Sequence, residues 1–65
     1  MGKKETLRTW RRFRNLTQKE LAEKIGTSNV TISSYEKNGL NQASVETLIK
    51  IIEALEIDFD QLDVN

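Results

Sequence analysis

The chain contains no cysteine, no histidine and no proline. Without cysteine there is no disulfide to staple a small fold, and the zinc sites built from Cys and His are excluded with it. Without histidine the commonest general base of hydrolytic enzymes is missing, so enzymatic function is not expected. No apolar run approaches the roughly 18 to 20 residues that span a bilayer, and the N-terminus carries no apolar leader. A cytoplasmic protein with no membrane partner, no metal and no cofactor is the expectation. Its 65 residues, 37% apolar, leave room for a single domain (1–65) around one small core.

Formal net charge is zero, which by itself counts against a nucleic-acid partner. Its distribution is uneven, however. Residues 1–24 hold eight basic side chains against Glu5, Glu20 and Glu23, a net +5, and residues 25–65 carry the compensating −5. Such a dipolar chain has a basic end suited to phosphate and an acidic end suited to solvent or protein, unless the charges merely solvate helix faces.

Glycine is scarce as well, so Gly26 and Gly39 are the main internal punctuation, and helical periodicity fills the intervals. The spacing of Leu7, Trp10, Arg11 and Arg14 predicts a first helix over about residues 4–14. Thr17 and Glu20 form a capping box in sequence, which starts a second helix at Gln18, and its apolar stripe of Leu21, Ala22 and Ile25 runs up to Gly26. Only Thr27 separates Gly26 from Ser28, a good N-cap, so a third helix begins at Asn29 after a sharp turn and runs to about Lys37. Ser44 caps a fourth helix carrying Val45, Leu48, Ile49, Ile51, Ile52 and Leu55, the most hydrophobic segment and the expected centre of the core. A further capping box from Asp58 to Gln61 predicts a short fifth helix with Phe59 and Leu62. The fold class is therefore all-α, a compact bundle of five helices in which the second and third form a helix-turn-helix.

Two charges fall on apolar faces. Arg11 lies four residues after Leu7, and Glu36 lies four after Ile32 and beside Tyr35. Facing each other they can pair bidentately and avoid the cost of a lone buried charge, which predicts an ion pair between the first and third helices. The alternative is that each side chain snorkels separately to water.

With Ile32 and Tyr35 turned inward, the outer face of the third helix carries Asn29, Val30, Ser33, Ser34 and Lys37. Small, mostly uncharged side chains suit a DNA major groove about 12 Å wide, where Asn can pair with adenine and Val can pack on a thymine methyl. An ordinary solvated helix face is more often filled with Glu, Lys and Arg.

These residues resemble the Cro and lambda-repressor-like, or XRE-like, family of helix-turn-helix DNA-binding proteins. The similarity is carried by LTQKELAEKIG at 16–26, Ser28, ISSYEKNG at 32–39 and SVETL at 44–48, and extends over about residues 7–62. The family's motif places a small residue where Ala22 stands, glycine where Gly26 stands, and apolar residues at Leu21, Ile25, Ile32 and Tyr35. The resemblance implies base reading by Asn29, Val30 and Ser34, with Ser33 on the same face. It also implies phosphate contacts from Thr17, Gln18 and Lys37, with Asn41 and Gln42 near further ones. Gln18 is implied to pack beside Asn29, and an arginine–glutamate pair at Arg11 and Glu36 is common in the family. Departures occur at Thr27, often Val; at Ala43, where proline is frequent; and at Glu56, where glycine usually ends the fourth helix. Either Glu56 adopts a left-handed conformation or the helix closes differently.

The function so implied is sequence-specific binding of double-stranded DNA by a transcriptional regulator, of the phage, mobile-element or antitoxin repressor type. A palindromic operator bound by a homodimer, weak in solution because of Asp58, Asp60 and Asp63, is expected, with the contact around the last helix near Phe59. Phe59 and Leu62 can alternatively close the monomer core. A protein-interaction module on the same fold, with weak or no DNA binding, is the competing function.

Overall fold

Thr6 ends one element and starts the next, and this shared residue sets how the N-terminus meets the rest of the chain. The computed structural model describes residues 4–64. Glu5–Thr6 forms β1, and the Thr6 hydroxyl then accepts from the Thr9 amide to cap helix α1, Leu7–Phe13. The first helix is thus shorter at its start than the periodicity suggests. The reason is non-local: Glu5 and Thr6 pair in parallel with Leu62 and Asp63, the strand β2 near the other end of the chain.

Helix α2, Gln18–Ile25, begins at a complete capping box: Thr17 Oγ1 accepts from the Glu20 amide at 3.0 Å and Glu20 Oε1 from the Thr17 amide at 2.8 Å. It ends at Gly26 with φ 78° and ψ 35°, a left-handed closure that lets the chain turn at once toward Ser28. Ser28 caps α3, Asn29–Asn38, by accepting from the Thr31 amide. Gly39 comes next with φ 90° and ψ 176°, a region open essentially to glycine alone. Ser44 then caps α4, Val45–Leu55.

The fifth helix is corrected to one 3-10 turn, Phe59–Gln61, so the described residues form four α-helices rather than five. Its local start signal is real, since Gln61 Oε1 accepts from the Asp58 amide at 2.8 Å. The helix does not propagate because Leu62 turns extended, at φ −100° and ψ 121°, to pair with Glu5. Leu62 is buried there, and Trp10 Nε1 donates to the Gln61 carbonyl at 2.8 Å, tying the turn to α1.

The core is drawn from all four helices, with Leu7 of α1, Leu21, Ala22 and Ile25 of α2, Ile32 of α3, and Ile51 and Leu55 of α4, together with Leu40 and Ile57 from the connections and Leu62 of β2. Helix α4 contributes less than its hydrophobicity suggests. Leu48 and Ile52 pack at the core's edge, but Val45 and Ile49 stay 73% and 46% exposed, and Phe59 54%. Helix α4 closes with Glu56 in the left-handed region, at φ 59° and ψ 46°. Its last carbonyls are satisfied from outside the helix: Arg14 Nε donates to Leu55 O at 2.7 Å and Nη2 to Glu56 O at 3.2 Å. A guanidinium at this negative helix end offsets the lack of any basic residue in α4's last turn.

Candidate nucleic-acid interface

Helix α3 is held by its inner face. Ile32 is fully buried, Tyr35 packs against the core, and Glu36 is gripped by three donors. Arg11 Nε donates to Glu36 Oε2 at 2.5 Å, Arg11 Nη2 to Oε1 at 3.3 Å, and Gln18 Nε2 to the same Oε1 at 3.1 Å. Arg11 Nη1 also donates to the Leu16 carbonyl at 2.6 Å, in the connection that leads into α2. The two charged side chains retain 11% and 7% exposure. One network therefore locks the mutual placement of α1, α2 and α3. A paired, multiply bonded charge of this kind is far cheaper to bury than a lone one.

The opposite face of α3 is open to solvent. Asn29, Val30, Ser33, Ser34 and Lys37 are all exposed, Val30 at 73%. An apolar side chain left out on an otherwise polar helix face is free to meet an apolar group such as a thymine methyl. Ser34 Oγ accepts from Asn38 Nδ2 at 3.3 Å, which leaves its hydroxyl hydrogen free to donate outward. Ser28 and Thr31 hydroxyls lie 3.0 Å apart at the start of the helix.

The remaining candidates flank this face unevenly. Thr17 is exposed, but its hydroxyl already caps α2. Gln18 is half-buried at the first position of α2 and directed to Glu36; no hydrogen bond joins it to Asn29 among the described residues. Asn41 and Gln42 are exposed in the turn closed by the Ala43 amide on the Leu40 carbonyl. Gln18, Ser33 and Lys37 come together around one cleft, which Arg8 and Glu36 complete. In the sequence Arg8 stands out only as part of the basic charge. The signal that points to it is its place three residues before Arg11, on the flank of α1 adjoining the side that meets α3.

The described residues contain no group of acidic side chains able to hold a metal ion, and no helix among them is long and apolar enough to cross a membrane.

The transcriptional repressor RstR of cryptic phage CTXphi, from Vibrio cholerae, is 41% identical over 59 residues, covering 91% of this chain and 52% of the relative. Antitoxin HipB of Escherichia coli strain CFT073 is 43% identical over 49 residues, covering 75% of this chain and 51% of the relative, and HipB of strain K12 is 41% identical over the same length. The chain spans about half the length of these curated relatives. No solved structure matches it. The pattern of the helix-turn-helix family matches residues 7–62, nearly the whole of the described fold, and the chain belongs to the XRE-type helix-turn-helix family.

Proposed function

We propose that this chain is the DNA-binding part of a sequence-specific transcriptional regulator, of the phage-repressor or antitoxin type, acting in the cytoplasm on double-stranded DNA. The observation that carries the proposal is the outer face of α3: five exposed side chains, only one of them charged, on a helix whose inner face is fixed by Ile32 and the Arg11–Glu36–Gln18 network. A helix so presented can lie in the major groove and keep its register. Asn29, Val30, Ser33 and Ser34 read base edges, while Thr17, Gln18, Lys37, Asn41 and Gln42 meet the backbone, where contacts position without specifying.

One such helix covers a few base pairs, so two copies are proposed to bind a palindrome with half-sites about 34 Å apart, one turn of DNA. The exposed Val45, Ile49 and Phe59 form the apolar material for the contact between copies. Asp58 and Asp60 beside Phe59 place like charges across the two-fold axis and keep the dimer weak without DNA. The same apolar residues in the acidic half of the chain favour the second reading, a module that docks on another protein.

Selection of bound duplexes from a random DNA pool separates the two. An enriched palindrome supports the regulator. An unenriched pool transfers the assignment to the protein-interaction module.

A further inference from the structure

The stretch 39–43 joins the end of α3 to Ser44, the cap of α4, and carries Asn41 and Gln42, both exposed. No proline ring stiffens it, because the chain contains none. Ala43 packs at the core's edge, but the deepest anchor of the loop is Leu40, whose side chain is 2% exposed. Its backbone is held on both sides. The Leu40 carbonyl accepts from the Ala43 amide at 3.0 Å, and the Leu40 amide donates to the Val64 carbonyl at 2.9 Å. A backbone amide at so buried a residue needs an acceptor, and here neither flanking helix supplies it. The acceptor comes from the other end of the chain.

Val64 is itself fixed. It lies one residue past β2, whose Leu62 and Asp63 pair with Glu5 and Thr6, and its side chain packs against the core. Just before β2, the Gln61 carbonyl accepts from Trp10 Nε1 at 2.8 Å. Residues 61–64 are thus a strap tied to α1, to β1 and to the loop after α3. The extended backbone from Leu62 on advances about 3.3 Å per residue, against about 1.5 Å for a helix, and carries Val64 to Leu40. A loop held in one shape before binding need not be ordered during it, which spares affinity the cost of lost backbone freedom.

We propose that Val64 is a positioning residue for DNA binding: its carbonyl, through the Leu40 amide, holds the 39–43 loop in the shape that presents Asn41 and Gln42 to the duplex. The inference rests on the DNA-backbone role proposed above for those two side chains. It adds a C-terminal strap that sets affinity by fixing the loop rather than through a side chain aimed at the duplex. It also gives the strand β2 a use. By turning extended after Gln61 the chain gives up a fifth helix and gains the bond that braces the loop.

The test uses the full chain with the amide between Gly39 and Leu40 replaced by an ester, which deletes the Leu40 donor and keeps every side chain. A chain ending at an amidated Asp63 deletes the acceptor instead. On the selected duplex each should bind about three- to tenfold more weakly with its preferred sequence unchanged, and the Ala43 amide should exchange with solvent faster by a similar factor. Val64→Ala keeps the carbonyl and should bind as the parent chain does. A cycle with Asn41→Ala and Gln42→Ala made together separates positioning from general stability: the pair should weaken the parent chain about threefold more than it weakens the ester chain. An ester chain that binds like the parent, or in which the pair costs as much as in the parent, would overturn the proposal. A parent chain that selects no duplex removes the DNA-binding function and the role of Val64 with it. Unchanged Ala43 exchange in both altered chains, with DNA binding intact in the parent, removes the role of Val64 alone.

Discussion

Arg11 and Glu36, twenty-five residues apart in the chain, are joined by two hydrogen bonds, with Nε to Oε2 at 2.5 Å and Nη2 to Oε1 at 3.3 Å. Their pairing fixes α3 against α1 at the point where α3 turns its other face outward. Arg11→Ala leaves Glu36 mostly buried with only Gln18 as a donor, and should destabilise the fold by about 3 kcal/mol. Denaturant unfolding of the two single alanine variants and the double variant measures the coupling. Strictly additive losses would show that the side chains contribute independently.

The base-reading and backbone-contacting groups should separate by the kind of change they cause. Asn29→Ala and Ser34→Ala are expected to alter the preferred sequence, with Asn29→Ala costing about 1 to 3 kcal/mol at one base pair. Gln18→Ala and Lys37→Ala are expected to weaken all duplexes alike. Binding-site profiles from a random pool give the answer, and an Asn29→Ala profile identical to the wild type would remove α3 from the role of reading helix.

Backbone strain at the end of α4 gives a prediction independent of DNA. Glu56 sits at φ 59°, where a side chain costs roughly 1 to 2 kcal/mol relative to the right-handed region. Glu56→Gly relieves that strain but loosens the unfolded chain, for a net gain of about 0.5 to 1 kcal/mol. Gly39→Ala does the opposite, since φ 90° with ψ 176° excludes a Cβ, and should cost about 1 to 3 kcal/mol. Thermal unfolding of both variants is a direct check; a destabilised Glu56→Gly chain would show that the Glu56 side chain contributes more than its conformation costs.

The apolar residues left outside the core predict how copies meet. Ile49→Glu or Phe59→Ala should leave the unfolding midpoint little changed, because neither side chain is buried in the monomer. Either should abolish cooperative occupation of a two-half-site duplex. Sedimentation with and without that duplex tests the point: a tight dimer in the absence of DNA, or one protomer per duplex at saturation, contradicts a weak dimer assembled on DNA.

The boundaries of α2 and the start of α3 were legible in the sequence because the signals act within four residues. Thr17 and Glu20 satisfy each other's amides, Gly26 accepts the left-handed turn, and Ser28 caps α3, all without help from the rest of the chain. The outward face of α3 was equally legible, since Ile32 and Tyr35 select its inner side by helical spacing. Four other features were decided by residues distant in the chain. Pairing of Glu5 with Leu62 shortened α1 and cut the last helix to a 3-10 turn, a competition between a local cap and a non-local ladder that no local propensity can rank. Helix α4 is apolar around so much of its surface that its pattern could not say which residues face inward; packing against α2 and the last turn buried Ile51 and Leu55 and left Val45 and Ile49 outside. Arg14 reached the carbonyls of Leu55 and Glu56 only because α1 and the end of α4 meet, which also holds Glu56 in its left-handed conformation. Arg8 and Lys37, twenty-nine positions apart, became one cationic cleft only when the Arg11–Glu36 bond brought α1 onto α3.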